Sequence, residues 1–138
     1  MADILKLSVP GKPEYVGTVR MTIAHVAANA GFDIEAIDDI KIAVSEACTN
    51  IIRHSHKNTD FSYDIIVERE EKSLTISVID HGVGFETGEY EEPVPGENRG
   101  SGMGIFIVRA LMDEVDIKSE LGVGTQIRMT KYLQSMIA

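Results

Sequence analysis

The chain has little of what staples, anchors or neutralises a protein. Its 138 residues include one cysteine, Cys48, which excludes an internal disulfide framework and any Cys-x-x-Cys metal knuckle. No apolar run is long enough to cross a bilayer, and no basic region followed by an apolar stretch opens the sequence. Those absences argue against a membrane span and a secretory signal, so the expected location is cytoplasmic. Basic residues are scarce: 13 Lys and Arg stand against 22 Asp and Glu, a formal net charge of −9. Such a surface repels nucleic acid and acidic lipid, so neither is an expected partner. An acidic domain that handles a nucleotide must gather its anion-binding groups locally. Low-complexity tracts and internal repeats are also missing.

What is present suffices for a core. Hydrophobic residues make up 43% of the chain, and at roughly 100–200 residues per domain the expectation is a single domain over 1–138. A domain of this size buries on the order of 70% of its unfolded surface. Ile4 to Val9 alternates as a half-buried strand and stops at Pro10-Gly11. Pro13 to Ala30 reads as a helix with the stripe Val16, Val19, Ile23, Val26 and Ala30, stopped by Gly31. Asp33 suits the N-cap of a longer helix whose apolar stripe takes in Ile34, Ile37, Ala43, Val44, Ala47, Cys48 and Ile51. Strands are expected at Phe61–Arg69 and Leu74–Asp80, a helix at Ile105–Glu114, and a closing hairpin at Val115–Ser119 and Thr125–Tyr132. Between them, residues 82–104 hold seven of the chain's 12 glycines, and a loop of that length is usually functional. Helices and strands come in groups. That order predicts an α/β (α+β) two-layer sandwich, with helices on one face of a mixed, mostly antiparallel sheet.

Four places carry chemistry. On the second helix, Glu46, Asn50 and His54 recur every four residues and so share one stripe. A neutral oxygen such as that of Asn50 suits a hard, partly hydrated cation like Mg²⁺. Glu46, one turn away, is placed to accept a proton from an attacking hydroxyl or water. The plainer reading is a solvated polar face, with His54 simply sitting at the negative end of the helix. Next, Asp80-His81-Gly82-Val83-Gly84 follows an apolar strand. A carboxylate there can accept from an exocyclic amine, and glycines let backbone approach a planar ring; the plain alternative is a turn. Third, Gly100-Ser101-Gly102-Met103-Gly104 runs into a helix, where exposed amide N–H groups cradle phosphate, and Arg99 beside it can reach a terminal phosphate. The spacing is neither that of a Rossmann fingerprint nor that of a P-loop. Last, Gly122-Val123-Gly124-Thr125 reads as a hairpin turn that could bring the Thr125 hydroxyl near a base.

In combination and in this order, the motifs resemble the GHKL ATPase/kinase superfamily with its Bergerat ATP-binding fold. Within it the chain is most similar to anti-sigma-factor serine kinases of the RsbW/SpoIIAB type. Ser45-Glu46-Ala47-Cys48-Thr49-Asn50 resembles the N box, and the two glycine-bearing pentapeptides resemble the glycine boxes. Met112-Asp113-Glu114-Val115 and Met129-Thr130-Lys131-Tyr132-Leu133 resemble the RsbW branch. The resemblance spans about residues 4–133. It implies Glu46 as general base toward a serine hydroxyl, Asn50 as Mg²⁺ ligand, and Asp80 with Thr125 as the adenine-recognising pair. Gly82 and Gly84 would flank the base. Gly100, Ser101, Gly102, Met103, Gly104 and Arg99 would face the phosphates, under an ATP lid at about residues 86–99. His81 departs from the glutamate that many relatives carry there, and Arg53-His54-Ser55-His56 is an unusual end for the N-box helix.

The implied function is an ATP- and Mg²⁺-dependent protein serine kinase. It would sequester a sigma factor as a homodimer and phosphorylate an anti-anti-sigma antagonist of the STAS type. Exposed Arg20 and Glu14 on the first helix are the expected partner-facing residues. Another class remains open, a nucleotide-gated partner-binding module or switch kinase without sigma-factor inhibition. A metal hydrolase built on His54, His56, Glu46 and Asp80 would leave the glycine boxes unexplained.

Overall fold

The computed structural model describes residues 2–54, 61–81, 100–120 and 123–134. The elements follow in the order β1 (Asp3–Pro10), α1 (Val16–Ala30), α2 (Ile34–His54), β2 (Ser62–Arg69), β3 (Ser73–Asp80), α3 (Gly100–Leu111), β4 (Glu114–Glu120) and β5 (Gly124–Tyr132). A 3-10 turn at Pro13–Tyr15 leads into α1. Gly31 ends that helix in the left-handed region at φ 100°, where an L side chain is disfavoured. Asp33 caps α2 as expected, its carboxylate accepting from the Ala36 N–H at 2.8 Å.

The five strands form one sheet in the order β1-β2-β3-β5-β4. Each of its pairings is antiparallel, so the mixed sheet expected from sequence is purely antiparallel. The neighbouring strands β1 and β2 are separated in sequence by two helices, α1 and α2, and pair antiparallel; β2–β3 and β4–β5 are hairpins.

One face of the sheet carries Val9, Tyr63, Ile65, Val67, Leu74, Ile76, Val78, Ile127 and Met129, all buried. Against it pack Val19, Ile23 and Ala27 of α1, Ile40 to Ile51 of α2, and Ile105 and Val108 of α3. At about 25 cal/mol per Å² of apolar area, this layer contact supplies the main driving force of the fold. The opposite face is polar, with Arg128–Glu68 at 3.5 Å and His81–Asp64 at 3.2 Å. Several details differ from expectation, beginning with the first α-helix, which starts at Val16 behind the 3-10 turn rather than at Pro13. Ile34 is 79% exposed rather than part of the apolar stripe, because it starts α2 beyond the edge of the core. α3 runs over Gly100–Leu111 instead of 105–114. It stops early because the Leu111 carbonyl accepts from Lys131 Nζ at 2.6 Å and the Asp113 N–H turns to the Thr130 carbonyl at 3.0 Å. Sheet pairing therefore takes over before a further helical turn can form.

Candidate functional site

α2 presents two kinds of side chain to the interior. Ala43, Val44, Ala47, Cys48 and Ile51 are fully or almost fully buried apolar groups. Beside them lie Glu46, half-buried, and Asn50, only 2% exposed. Among the described residues, neither Asn50 Oδ1 nor Nδ2 has a hydrogen-bond partner. A buried polar group left unpaired costs about 1–3 kcal/mol, so this amide is poorly explained as structure. The solvated-face reading fails at Asn50, which does not face solvent. Its oxygen is the kind of donor a hydrated divalent cation takes.

The first turn of α3 meets α2 at Glu46. A Cβ placed on Gly104 would lie 3.1 Å from Glu46 Oε2 and 3.7 Å from the Glu46 carbonyl. Glycine thus allows the two helices to close up at the carboxylate. Gly100, Ser101, Gly102 and Met103 form helix backbone here rather than a loop before it. The N–H groups of a first helical turn lack intrahelical partners and carry partial positive charge. Glu46 consequently shares its corner with an anion-attracting helix end.

The second cluster stands at the end of the sheet. Asp80 closes β3 and is 4% exposed; its register partner on β5 is Thr125, 3% exposed. Ser119 on β4 pairs with Thr125 in turn, with Oγ and Oγ1 2.7 Å apart. Gly124 makes this closeness possible. It adopts φ +134°, and a Cβ there would fall on the Asp80 carbonyl oxygen. A cavity of about 540 Å³ opens at this end. Asp80, Ser119 and Thr125 border it from the helix-covered face, Ile79, Lys118 and Gln126 from the open one. His81 turns aside: its Nε2 lies 3.2 Å from Asp64 Oδ2 on the open face.

Two of the sequence-singled groups are thus juxtaposed directly, Glu46 with Gly104 and Asp80 with Thr125. Gly82, Gly84, Arg99, the segment 86–99 and His56 lie outside the described residues. Among the described residues, no three His, Cys, Asp or Glu side chains gather in a metal-holding group. Sequence reasoning missed Ser119, although strand alternation from Val115 through Ile117 places it on the inner face. It also missed the contact between Cys48 and Tyr63. Burial pushes the Cys48 thiol up to about 12, with the neighbouring Tyr63 hydroxyl acting in the opposite direction. Burial likewise raises the Tyr63 hydroxyl, reinforced by Cys48. Both groups stay neutral and take no part in proton transfer near neutral pH.

Residues 9–131 match the family model described as a histidine kinase-like ATPase domain. A serine-protein kinase RsbW from Oceanobacillus iheyensis is 41% identical over 141 residues, covering 95% of this chain and 87% of that protein. Its namesake from Bacillus pumilus is 36% identical over 142 residues, covering 95% and 86%. The solved RsbU and RsbW domains of Rv1364c from Mycobacterium tuberculosis superpose with a TM-score of 0.67 at 25% identity, over 95% of this chain. This chain spans 32% of that longer polypeptide. The histidine kinase domain of a blue-light activated kinase from Erythrobacter litoralis shares the fold, with a TM-score of 0.60 at 21% identity. With that family model matched over most of its length and relatives this similar, the chain belongs to the RsbW family of serine-protein kinases, built on a histidine kinase-like ATPase domain.

Proposed function

We propose that this kinase binds ATP with Mg²⁺, holds a sigma factor, and phosphorylates a serine on a STAS-type antagonist of that factor. The observation that carries the reading is the buried, unpartnered amide of Asn50, one turn from Glu46 at the foot of α3. Asp80 accepts from the adenine N6 amine, and Thr125 supports the base directly or through a water. The first turn of α3, from Gly100 to Gly104, offers backbone N–H groups to the phosphates. Arg99, Gly82 and Gly84 complete the pocket in this proposal, with residues 86–99 as the lid. A homodimer, with Arg20 on α1 and Glu14 on the preceding 3-10 turn toward the partners, and a cytoplasmic location complete the proposal.

Asn50 would hold Mg²⁺, which when bound neutralises charge on the β- and γ-phosphates. The donor set fits, because a single neutral oxygen leaves most of the coordination to phosphate and water. The remaining work is positioning. Glu46 accepts the proton of the incoming serine hydroxyl. As the serine oxygen bonds to the γ-phosphorus, the bond to the β-bridging oxygen breaks and ADP leaves. The α3 amides fix the phosphate chain in line with the attack.

Glu46→Gln is the test. It keeps the size of the side chain and removes the basic oxygen. Calorimetry should find ATP affinity close to wild type, while phosphate transfer to the antagonist drops about 10²- to 10⁴-fold. Transfer at the wild-type rate would remove Glu46 from catalysis and favour a nucleotide-gated binding module.

A further inference from the structure

We propose that Ser119 selects the base by positioning: its hydroxyl donates to Thr125 and thereby aims the Thr125 hydrogen at N1 of adenine. This inference rests on the adenine reading of the Asp80 cavity.

Asp80, Thr125 and Ser119 face one another across three adjacent strands, as successive register partners. All three border the same cavity of about 540 Å³. The Ser119–Thr125 separation of 2.7 Å is that of a well-formed hydroxyl–hydroxyl bond. Each hydroxyl owns one hydrogen and two lone pairs, so the direction of this bond decides what Thr125 can offer a ligand. If Thr125 donates to Ser119, it presents only lone pairs to the cavity. If Ser119 donates, the Thr125 hydrogen is left for the ligand.

Adenine settles the direction. Its edge carries the N6 amine, a donor, next to N1, an acceptor. An ionised Asp80 is acceptor-only and suits the amine. N1 then requires a donor one position along, and Thr125 is the neighbour on that row. With Ser119 as donor, the row reads acceptor then donor, complementary to adenine. Guanine presents the reverse, O6 toward the carboxylate and N1–H toward the Thr125 hydrogen. The O6 contact becomes repulsive and the N1–H contact forces Thr125 to turn its hydrogen away and offer its remaining lone pair, so discrimination arises from the mismatch as much as from the match. Ser119 touches no part of the base in this scheme. It is a positioning residue acting through Thr125.

Ser119→Val and Ser119→Thr are the variants that test it. They have nearly the same shape, both suit a strand, and only the second keeps a hydroxyl. ATP and GTP are titrated by calorimetry into wild type and both variants. Ser119→Val should lose about three- to tenfold in ATP affinity, with GTP unchanged or slightly tighter, so the ATP/GTP ratio narrows by at least that factor. Ser119→Thr should restore the ratio. Equal weakening of both nucleotides in Ser119→Val, or the same ratio in both variants, overturns the assignment and leaves Ser119 a structural residue. A wild-type protein that binds ATP and GTP alike overturns it too, while sparing the nucleotide site. Absence of ATP binding in the wild type removes the underlying reading as well.

Discussion

The two ends of the β3–β5 ladder use their polar groups in opposite ways. At the Leu74 end they are consumed within the fold. Lys131 Nζ reaches the Leu111 carbonyl at 2.6 Å and lies 3.9 Å from Asp39, so one side chain ties β5 to α3 and α2. The Tyr132 N–H donates to Asp113 at 2.8 Å, the Leu133 N–H to the Lys72 carbonyl at 2.9 Å, and Thr75 and Thr130 bond at 2.9 Å. At the Asp80 end a cavity opens beside a carboxylate; elsewhere, on α2, neither amide atom of Asn50 has a hydrogen-bond partner among the described residues. One end of the ladder is tied into the fold by its polar groups, and the other borders a cavity. Substitutions at the first end should therefore change stability, and those in the site should change chemistry.

The largest expected effect tests that division at its sharpest. Asn50→Ala should lower Mg²⁺-dependent phosphate transfer by on the order of a hundredfold or more. Thermal stability should stay within about 1 kcal/mol of wild type, since the variant also removes an unpaired buried amide. Full activity, or a loss of several kcal/mol in stability, would reassign Asn50 to the architecture.

Asp80→Asn comes next. The amide preserves shape and replaces an acceptor-only group by one that also donates. Adenine nucleotide affinity should fall about ten- to a hundredfold, the range for a hydrogen bond to a charged group. Calorimetry with ATP and GTP side by side shows whether the loss is specific to adenine. An unchanged ATP affinity would place the base elsewhere and dissolve the contrast between the two ends.

Lys131→Met probes the tied end. It keeps the aliphatic stem and removes the group that closes the end of α3. The cost should be about 1–3 kcal/mol in urea unfolding, with ATP affinity unaltered. Asp39 stays partly exposed, so no buried charge is stranded. Should ATP affinity fall in parallel, the pose of α3 would link the ends, and they could not be treated as independent.

Sequence reading captured the features that periodicity and turn chemistry determine. Asp33 as N-cap, Gly31 as helix stop and both hairpins belong to this group, whereas the pairing of Asp80 with Thr125 came only from the family resemblance. The caps and hairpins depend on residues near in sequence, or on register set by a short turn. The early start of α3 was illegible because glycine is a poor helix former. What favours helix there is the tertiary packing of Gly104 on Glu46, which no local window contains. Asn50 was legible as a polar residue on a stripe but not as a buried one, since its burial comes from packing across the layer. Ser119 was missed because serine on an edge strand looks like surface until its partner across the hairpin is known.

The smallest effect concerns the buried side of α2, where Cys48 meets Tyr63. With its thiol held up to about 12 against an ordinary 9.0, Cys48 remains protonated in the folded protein across the neutral range. The unfolded chain releases that proton at lower pH. The folded pKa is the higher one, so the contribution to stability is complete below about pH 9 and is lost as pH rises toward 12. The slope is at most about 1.4 kcal/mol per pH unit for one group. Tyr63 is shifted the same way and adds to the loss at the upper end. Melting temperatures of wild type should therefore decline more steeply between about pH 9 and 11 than those of Cys48→Ala. Because that variant also leaves a small cavity, the slopes rather than the absolute values carry the comparison. Parallel slopes would mean that the thiol is deprotonated as easily in the folded protein as in the open chain. The buried face of α2 would then be as permeable to charge as the stripe of Glu46 and Asn50 beside it, and that stripe's distinct chemistry would need another origin.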